Sequence, residues 1–348
     1  MTVISKDFGN IMKAREGDLI ETFDGNIFDV KGLVHPPDKI IAFIRFTPDL
    51  KGERRRGSTR YKKIYPLQER YTLLREKFPQ YLVFDSVFHQ WLCEVPTGIV
   101  KKHYQPTEFL SQLRHRKSLD KLGQQTVELA ELLHREAGVN WNALGVSGSL
   151  LAGLNTSKSD MDLVVYGSLN CKRVYAALTR LVREEAGNVR PYTMQDLKPL
   201  FDFRSKDTVV KFEDFVRTES RKALQGKFHQ RDYFIRCVKD WDETTETYGS
   251  ITYEPMGEAM ISATVTNDSN MIFTPCTYQI NGLQWLNGTT PRVLREIVSF
   301  RGRFCEQARK RERIIACGTV ESVREGDQEE CFRLIVGNRQ SDFLILAQ

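Results

Sequence analysis

The chain has 348 residues, of which 41% are hydrophobic and 28% charged, and its formal net charge is +6. That length predicts two or three domains with a core large enough to need no disulfide staples, and the composition excludes a disordered chain. No stretch reaches the roughly 18 apolar residues of a membrane helix, and Met1 to Asp18 lack the apolar run of a signal peptide, so a cytoplasmic protein without a membrane partner is expected.

The first hundred residues read as strand-rich. Asp24-Gly25 marks a tight turn between apolar segments, residues 39–46 read as a strand, and prolines punctuate short elements. His35, ahead of two prolines, reads as a turn histidine. Lys51 to Lys63 hold seven basic residues (Lys51, Arg54, Arg55, Arg56, Arg60, Lys62, Lys63) against one acid, Glu53, so this segment alone matches the excess charge of the whole chain. Such a block suits phosphate contacts on a loop. Residues 66–78 read as a helix with proline at its first position.

From Pro106 the apolar spacing turns helical and runs to about Glu136, with Gly138 as the stop. A short helical segment at 148–154, a strand at 161–166 and a helix at 172–186 follow, an order that implies a sheet covered on at least one face. Residues 202–225 read as polar helix. Beyond them the period shifts towards two, with strands at 233–239, 249–254, 259–266, 313–323, 332–336 and 343–346. The expected fold class is therefore α+β or mixed α/β. It comprises a strand-rich N-terminal unit (1–105), a central unit with a mixed sheet and helices (106–270), and a small β-rich, barrel-like C-terminal module (271–348). Seven cysteines, odd in number and without C-x-x-C spacing, read as reduced core thiols.

The chemistry concentrates between Gly145 and Gly167. On a strand, residues two apart share a face, so Asp160 and Asp162 point together while Met161, Leu163 and Val165 face apolar packing. Paired carboxylates suit one or two hard cations, Mg²⁺ or Mn²⁺, and without a cation the pair would retain a proton. Upstream, Gly148 and Ser149 open a helix whose first amides can cradle a triphosphate, and Lys158 and Ser159 are further candidates for nucleotide contact.

Gly-Ser, ten intervening residues and Asp-x-Asp on an apolar strand resemble the signature of the DNA polymerase β-like nucleotidyltransferase superfamily. Across its length the chain is also similar to an uncharacterised archaeal family of predicted nucleotidyltransferases, through residues 30–37, 148–154 and 299–304. The resemblance implies transfer of a nucleoside monophosphate from a nucleoside triphosphate to an acceptor hydroxyl, with Asp160 and Asp162 as metal-binding and catalytic acids. It also implies a third carboxylate on a neighbouring strand, for which Asp232 is the first candidate, then Asp240 and Asp214. Arg54, Arg55, Arg56, Arg60, Lys62 and Lys63, together with Arg301 and Arg303, make RNA one candidate acceptor. Arg236, inside a strand, needs a partner if buried and could face the site. The rival expectation is a nucleic-acid-binding or regulatory protein that keeps the fold without the activity.

Overall fold

A computed structural model describes residues 12–184, 188–291, 293–326 and 330–347. It is mixed α/β, with seven α-helices and three sheets among the described residues.

The N-terminal sheet is built from β1 (Leu19–Thr22), β2 (Ile27–Val30), β3 (Lys39–Pro48), β4 (Arg54–Arg56), β5 (Thr59–Lys63), β6 (Leu82–Asp85), β7 (Gln90–Pro96) and β8 (Val100–Tyr104), with α1 (Leu67–Lys77) between β5 and β6. Every pairing is antiparallel, in the order β4-β5-β3-β2-β1-β8, and β7 joins β3 to β6. Phe28, Ile40, Ile44 and Leu74 pack with Tyr81 and Cys93 into its core. The basic segment expected as a loop is instead the β4–β5 hairpin. Alternation explains it: Tyr61 is buried while Arg60 and Lys62 on either side are exposed.

His35 uses both ring nitrogens, Nε2 donating to Ala14 O at 3.0 Å and Nδ1 accepting from Ile41 N at 3.2 Å. Burial holds it neutral, with its pKa down at about 4. The unfolded chain takes up a proton below about pH 6.5 that the folded chain refuses until about 4. Stability is therefore full above 6.5 and falls by roughly 2–3 kcal/mol as the pH drops through that window. Urea titrations of wild type and His35→Gln between pH 7 and 4 should show this loss in the wild type alone; parallel curves would remove His35 from the account.

The middle sheet follows α2 (Pro106–Arg114) and α3 (Lys121–Ala137). It contains β9 (Leu144–Val146), β10 (Met161–Tyr166), β11 (Val189–Arg190), β12 (Gln225–Phe228) and β13 (Arg231–Val238), in the order β11-β12-β13-β10-β9. Only β10 and β13 run parallel. Within this span lie α4 (Gly148–Leu151), α5 (Ser168–Glu184), α6 (Met194–Arg204) and α7 (Phe212–Glu219). The helix expected at 172–186 starts earlier, and its last two predicted positions lie outside the described residues. The continuous helix expected over 202–225 does not form. The chain leaves α6 at Arg204, enters α7 at Phe212, and pairs as β12 from Gln225. Leu129 and Leu133 of α3 and Val174 and Leu178 of α5 pack on one face of the sheet with Leu163, Val165 and Ile235.

The last sheet holds β14 (Ile251–Asn267), β15 (Cys276–Gly288), β16 (Leu294–Ser299), β17 (Arg313–Glu325), β18 (Cys331–Ile335) and β19 (Phe343–Leu346). Its order is β14-β15-β16-β18-β17-β19, and β17 also pairs back on β14, which closes five strands into a barrel. Two strands expected at 249–254 and 259–266 are one 17-residue strand. Pro255 and Gly257, which look like breakers, sit at a register shift against β17, where a bulge accommodates them. The sequence reading missed β15 and β16, and it placed all of β14 in the central unit. The barrel is fastened to the middle sheet by buried polar groups. Glu306, fully buried, accepts from Ala223 N and Leu224 N, both at 2.9 Å, and Lys222 donates to Arg303 O and Gln307 Oε1.

All seven cysteines are free thiols, five of them buried and Cys317 and Cys331 half-buried. No helix among the described residues is long and apolar enough to cross a membrane.

Candidate active site

Strand β10 sorts its side chains as alternation demands. Met161, Leu163 and Val165 are no more than 1% exposed and belong to the main core, while Asp160 and Asp162 look to the other face. That second face is closed at one end by the N-terminal segment. Val164, Tyr166 and Val238 cluster there, and Ser147 Oγ donates to Gly17 O at 2.6 Å.

Gly148 ties the loop before β10 to the aspartate pair. Ser147 N donates to Asp162 O at 2.8 Å, which lays the start of α4 directly along the strand. Gly148 has φ +64°, and a Cβ built there would overlap the Asp162 carboxylate, lying 2.8 Å from its Cγ. Conformation and space both require glycine at this position. The helix that follows is a single turn.

The electrostatics are unbalanced. Among the described residues, neither Asp160 nor Asp162 has a salt-bridge or side-chain hydrogen-bond partner. Burial, and then the Asp160 charge, push the Asp162 carboxyl up to about 7, against the pull of Lys63, Arg45 and Arg236. Across from the pair, burial and Arg45 push the Lys63 ammonium down to about 8, although Asp160 and Asp162 favour its charge. Arg236 projects from β13 on the same face, opposite Val164 and so two residues beyond Asp162 in the register, and is paired with the buried Glu16.

The other predicted residues scatter. Ser149 and Ser159 are buried and bonded to each other, Oγ to Oγ at 3.1 Å, with Ser159 Oγ also accepting from Thr156 N. Their hydroxyls are thus engaged with each other. Lys158 is exposed on the adjoining turn. The β10–β13 register, Met161 opposite Tyr233, carries Asp232 alongside Asp160, the position expected of a third acid. Its side chain, however, is half-exposed and bound to Lys227 Nζ at 2.9 Å. Asp240 caps a short turn and pairs with Arg15, and Asp214 pairs with Arg217 on α7; neither approaches the aspartate pair through any bond.

The basic hairpin divides. Arg54 donates to Leu154 O at 2.6 Å and Arg56 to Ala152 O at 3.3 Å and Glu21, which docks the hairpin on the segment after α4. Arg55 and Arg60 are exposed and bond to backbone carbonyls within the hairpin, and Lys62 pairs with Glu69. Lys63 alone faces the aspartates. Arg301 and Arg303, candidate nucleic-acid contacts, share Asp207 at 2.9 and 3.1 Å and are largely buried. Between them Gly302 packs on the middle sheet, where a Cβ would come 2.6 Å from Phe234. The sequence reading missed Arg45 and Arg70. The available signal was the same as for Arg236: Arg45 is a lone charge within the apolar run 40–46.

The donor set can be tested against a divalent cation. Asp160 and Asp162 offer acceptor-only oxygens on one face, which suits a hard cation that keeps water and phosphate oxygens in its remaining positions. Among the described residues no group of three or more His, Cys, Asp or Glu is assembled to hold a metal. The pair fits the cation, and the third carboxylate is not in place.

No family model matches the chain, and no solved structure matches it. It is 32% identical over 340 residues to "Uncharacterized protein MJ1086" of Methanocaldococcus jannaschii, an alignment that spans 95% of this chain and 98% of that protein. The similarity therefore covers all three sheets and the aspartate pair, and the chain belongs to the MJ1086 family.

Proposed function

We propose that the protein is a metal-dependent nucleotidyltransferase that moves a nucleoside monophosphate from a nucleoside triphosphate to an acceptor hydroxyl and releases pyrophosphate. The middle sheet would carry the chemistry, flanked by the N-terminal sheet and the C-terminal barrel. The observation that carries this reading is the unpartnered Asp160–Asp162 pair pressed against Gly148 and facing basic side chains that it does not touch. A protein built only for stability would close such charges into ion pairs; a gap between them suits a cation and phosphates.

Asp160 and Asp162 would hold Mg²⁺ or Mn²⁺, whose chemistry there is to neutralise charge on the phosphates. Gly148 lets the nucleotide approach the backbone beside Asp162. Lys63 and Arg45 supply positive charge opposite the pair, where phosphate charge develops. RNA is one candidate acceptor, supported by exposed Arg55, Arg60 and Lys62 on the hairpin.

The test is incubation with each α-³²P nucleoside triphosphate, Mg²⁺ or Mn²⁺, and total RNA and protein, with the double variant Asp160→Asn/Asp162→Asn as control. Label moved by wild type and lost in the control supports the transferase and names base and acceptor. No transfer with any nucleotide overturns it.

A second reading, nucleotide or nucleic-acid binding without turnover, is favoured by one observation: Asp232 is bound to Lys227. Asp232→Asn separates the two. A loss of about a hundredfold or more in rate is expected if Asp232 leaves Lys227 to serve the acceptor hydroxyl, within the range of general-base effects. A change below threefold assigns Asp232 to the ion pair alone.

A further inference from the structure

Most cations around Tyr65 and the aspartate pair are neutralised locally. Arg236 is paired with Glu16, Arg204 with Glu219 at 2.5 Å, and Arg301 and Arg303 with Asp207. Three are not: Arg45 from β3, Lys63 from β5 and Arg70 from α1 make no ion pair and no side-chain hydrogen bond among the described residues.

Arg70 is the most telling of them. Its residue is 8% exposed, and its Nε is buried with no hydrogen-bond partner. A guanidinium N–H taken out of water without a partner is costly, and folding normally either pairs it or leaves it solvated. Arg45 adds to the cost, because it acts on both of the others: after burial, its charge is the largest cause that drives Lys63 and Arg70 down. The nearby Asp29 does not relieve them by contact, being bonded to Lys31 at 2.9 Å.

The three converge around Tyr65. The Arg45 guanidinium carbon lies 4.8 Å and Lys63 Nζ 5.7 Å from its ring centroid, and Arg70 interacts electrostatically with Arg45, Tyr65, Asp29 and Arg301. Phe203, 42% exposed, stands beside Tyr65 with ring centroids 4.5 Å apart. Lys63 connects the cluster to Asp160 and Asp162. Three cations without an ion pair, from three elements and two of them guanidinium forks, match a phosphate group with several oxygens and two or more negative charges.

We propose that Arg45, Lys63 and Arg70 form a phosphate-binding subsite beside the Asp160–Asp162 pair, placed by the N-terminal sheet and α1. The phosphate's source, the tail of the nucleoside triphosphate or a phosphate on the acceptor, rests on the transferase reading; the subsite's affinity for phosphate does not.

The experiment titrates the full-length protein with inorganic tripolyphosphate and with inorganic phosphate, in EDTA at low ionic strength, by calorimetry. Wild type should bind tripolyphosphate one to one. Arg70→Met and Lys63→Met should each weaken binding about tenfold or more, while Arg70→Lys retains part of it. Asp160→Asn/Asp162→Asn should bind at least as tightly as wild type, since it removes opposing charge. Thermal melting of Arg70→Met should match or exceed wild type, because the substitution removes an unpaired buried charge. The absence of wild-type binding at millimolar ligand, or binding indifferent to both Arg70→Met and Lys63→Met, overturns the subsite.

A transfer assay then separates the sources. A raised KM for nucleotide in Lys63→Met assigns the subsite to the triphosphate; a raised KM for acceptor alone assigns it to the acceptor. Phosphate binding that depends on the three cations, in a protein that transfers nothing, keeps the subsite and removes the transferase.

Discussion

Replacing Asp162 by Asn is expected to abolish the proposed metal-dependent nucleotidyl transfer and, without metal, to make the protein more stable. The loss of rate should be at least about a thousandfold, equivalent to about 4 kcal/mol in the barrier, since one of only two assembled carboxylates is removed. The gain in stability follows from the unpartnered pair. Asp162 titrates near 7 in the fold, mainly through burial and secondly through Asp160, against an ordinary 3.8. Below about pH 4 the folded and unfolded chains both hold the proton. Between 4 and 7 only the folded chain holds it, so stability falls as pH rises, and above 7 the penalty is complete. The full shift corresponds to at most about 4 kcal/mol; because the side chain reaches solvent in part, about 1–3 kcal/mol is expected at pH 8. Thermal melts of wild type and Asp162→Asn in EDTA at pH 5 and pH 8 measure it. The variant should lead by more at pH 8, and Mg²⁺ should stabilise the wild type only. Equal melts at both pH values would show that the carboxylate is not under strain.

The second large effect is expected from the smallest substitution. Gly148→Ala adds one methyl at φ +64°, where it would meet the Asp162 carboxylate. The left-handed conformation alone costs about 1–2 kcal/mol for a non-glycine residue. The overlap must in addition displace Asp162 or the α4 turn. Activity should fall about a hundredfold or more, as expected when a reacting group is misplaced by about 1 Å, with a drop in stability of about 2–4 kcal/mol. Gly153→Ala is the comparison: it also has positive φ, but the nearest atom to its built Cβ is 3.6 Å away, so it should lose stability and keep its activity. Similar activity losses in both would assign the Gly148 effect to folding alone.

The local elements around the candidate site were legible because their signals are local. The strand Met161–Tyr166 has the predicted bounds, since its alternation is unbroken and Gly167 ends it. The helix ending at Gly138 was readable for the same reason, an apolar stripe closed by a residue that adopts the left-handed conformation (φ 59°). The barrel strands β15 and β16 were not readable. Residues 281–288 are polar or exposed apart from the half-buried Leu283 and Trp285, and pairing with β14 makes them a strand.

Charged residues divide along the same line. The sequence by itself determined that Asp160 and Asp162 share a face and that Arg236, within an apolar strand, needs a partner, because side-chain direction on a strand is set by the backbone. Which cations are spent and which are left over was decided only by the tertiary structure. Arg54 and Arg56 turn inward to carbonyls about a hundred residues away, Arg301 and Arg303 are absorbed by Asp207, and Asp232 is held by Lys227. Lys63 and Arg45 remain beside the aspartates, and Arg70 beside Arg45, without an ion pair among the described residues. A count of charges along the chain cannot make that division, because the interaction depends on separation in space and on burial, both fixed by contacts between residues far apart in sequence.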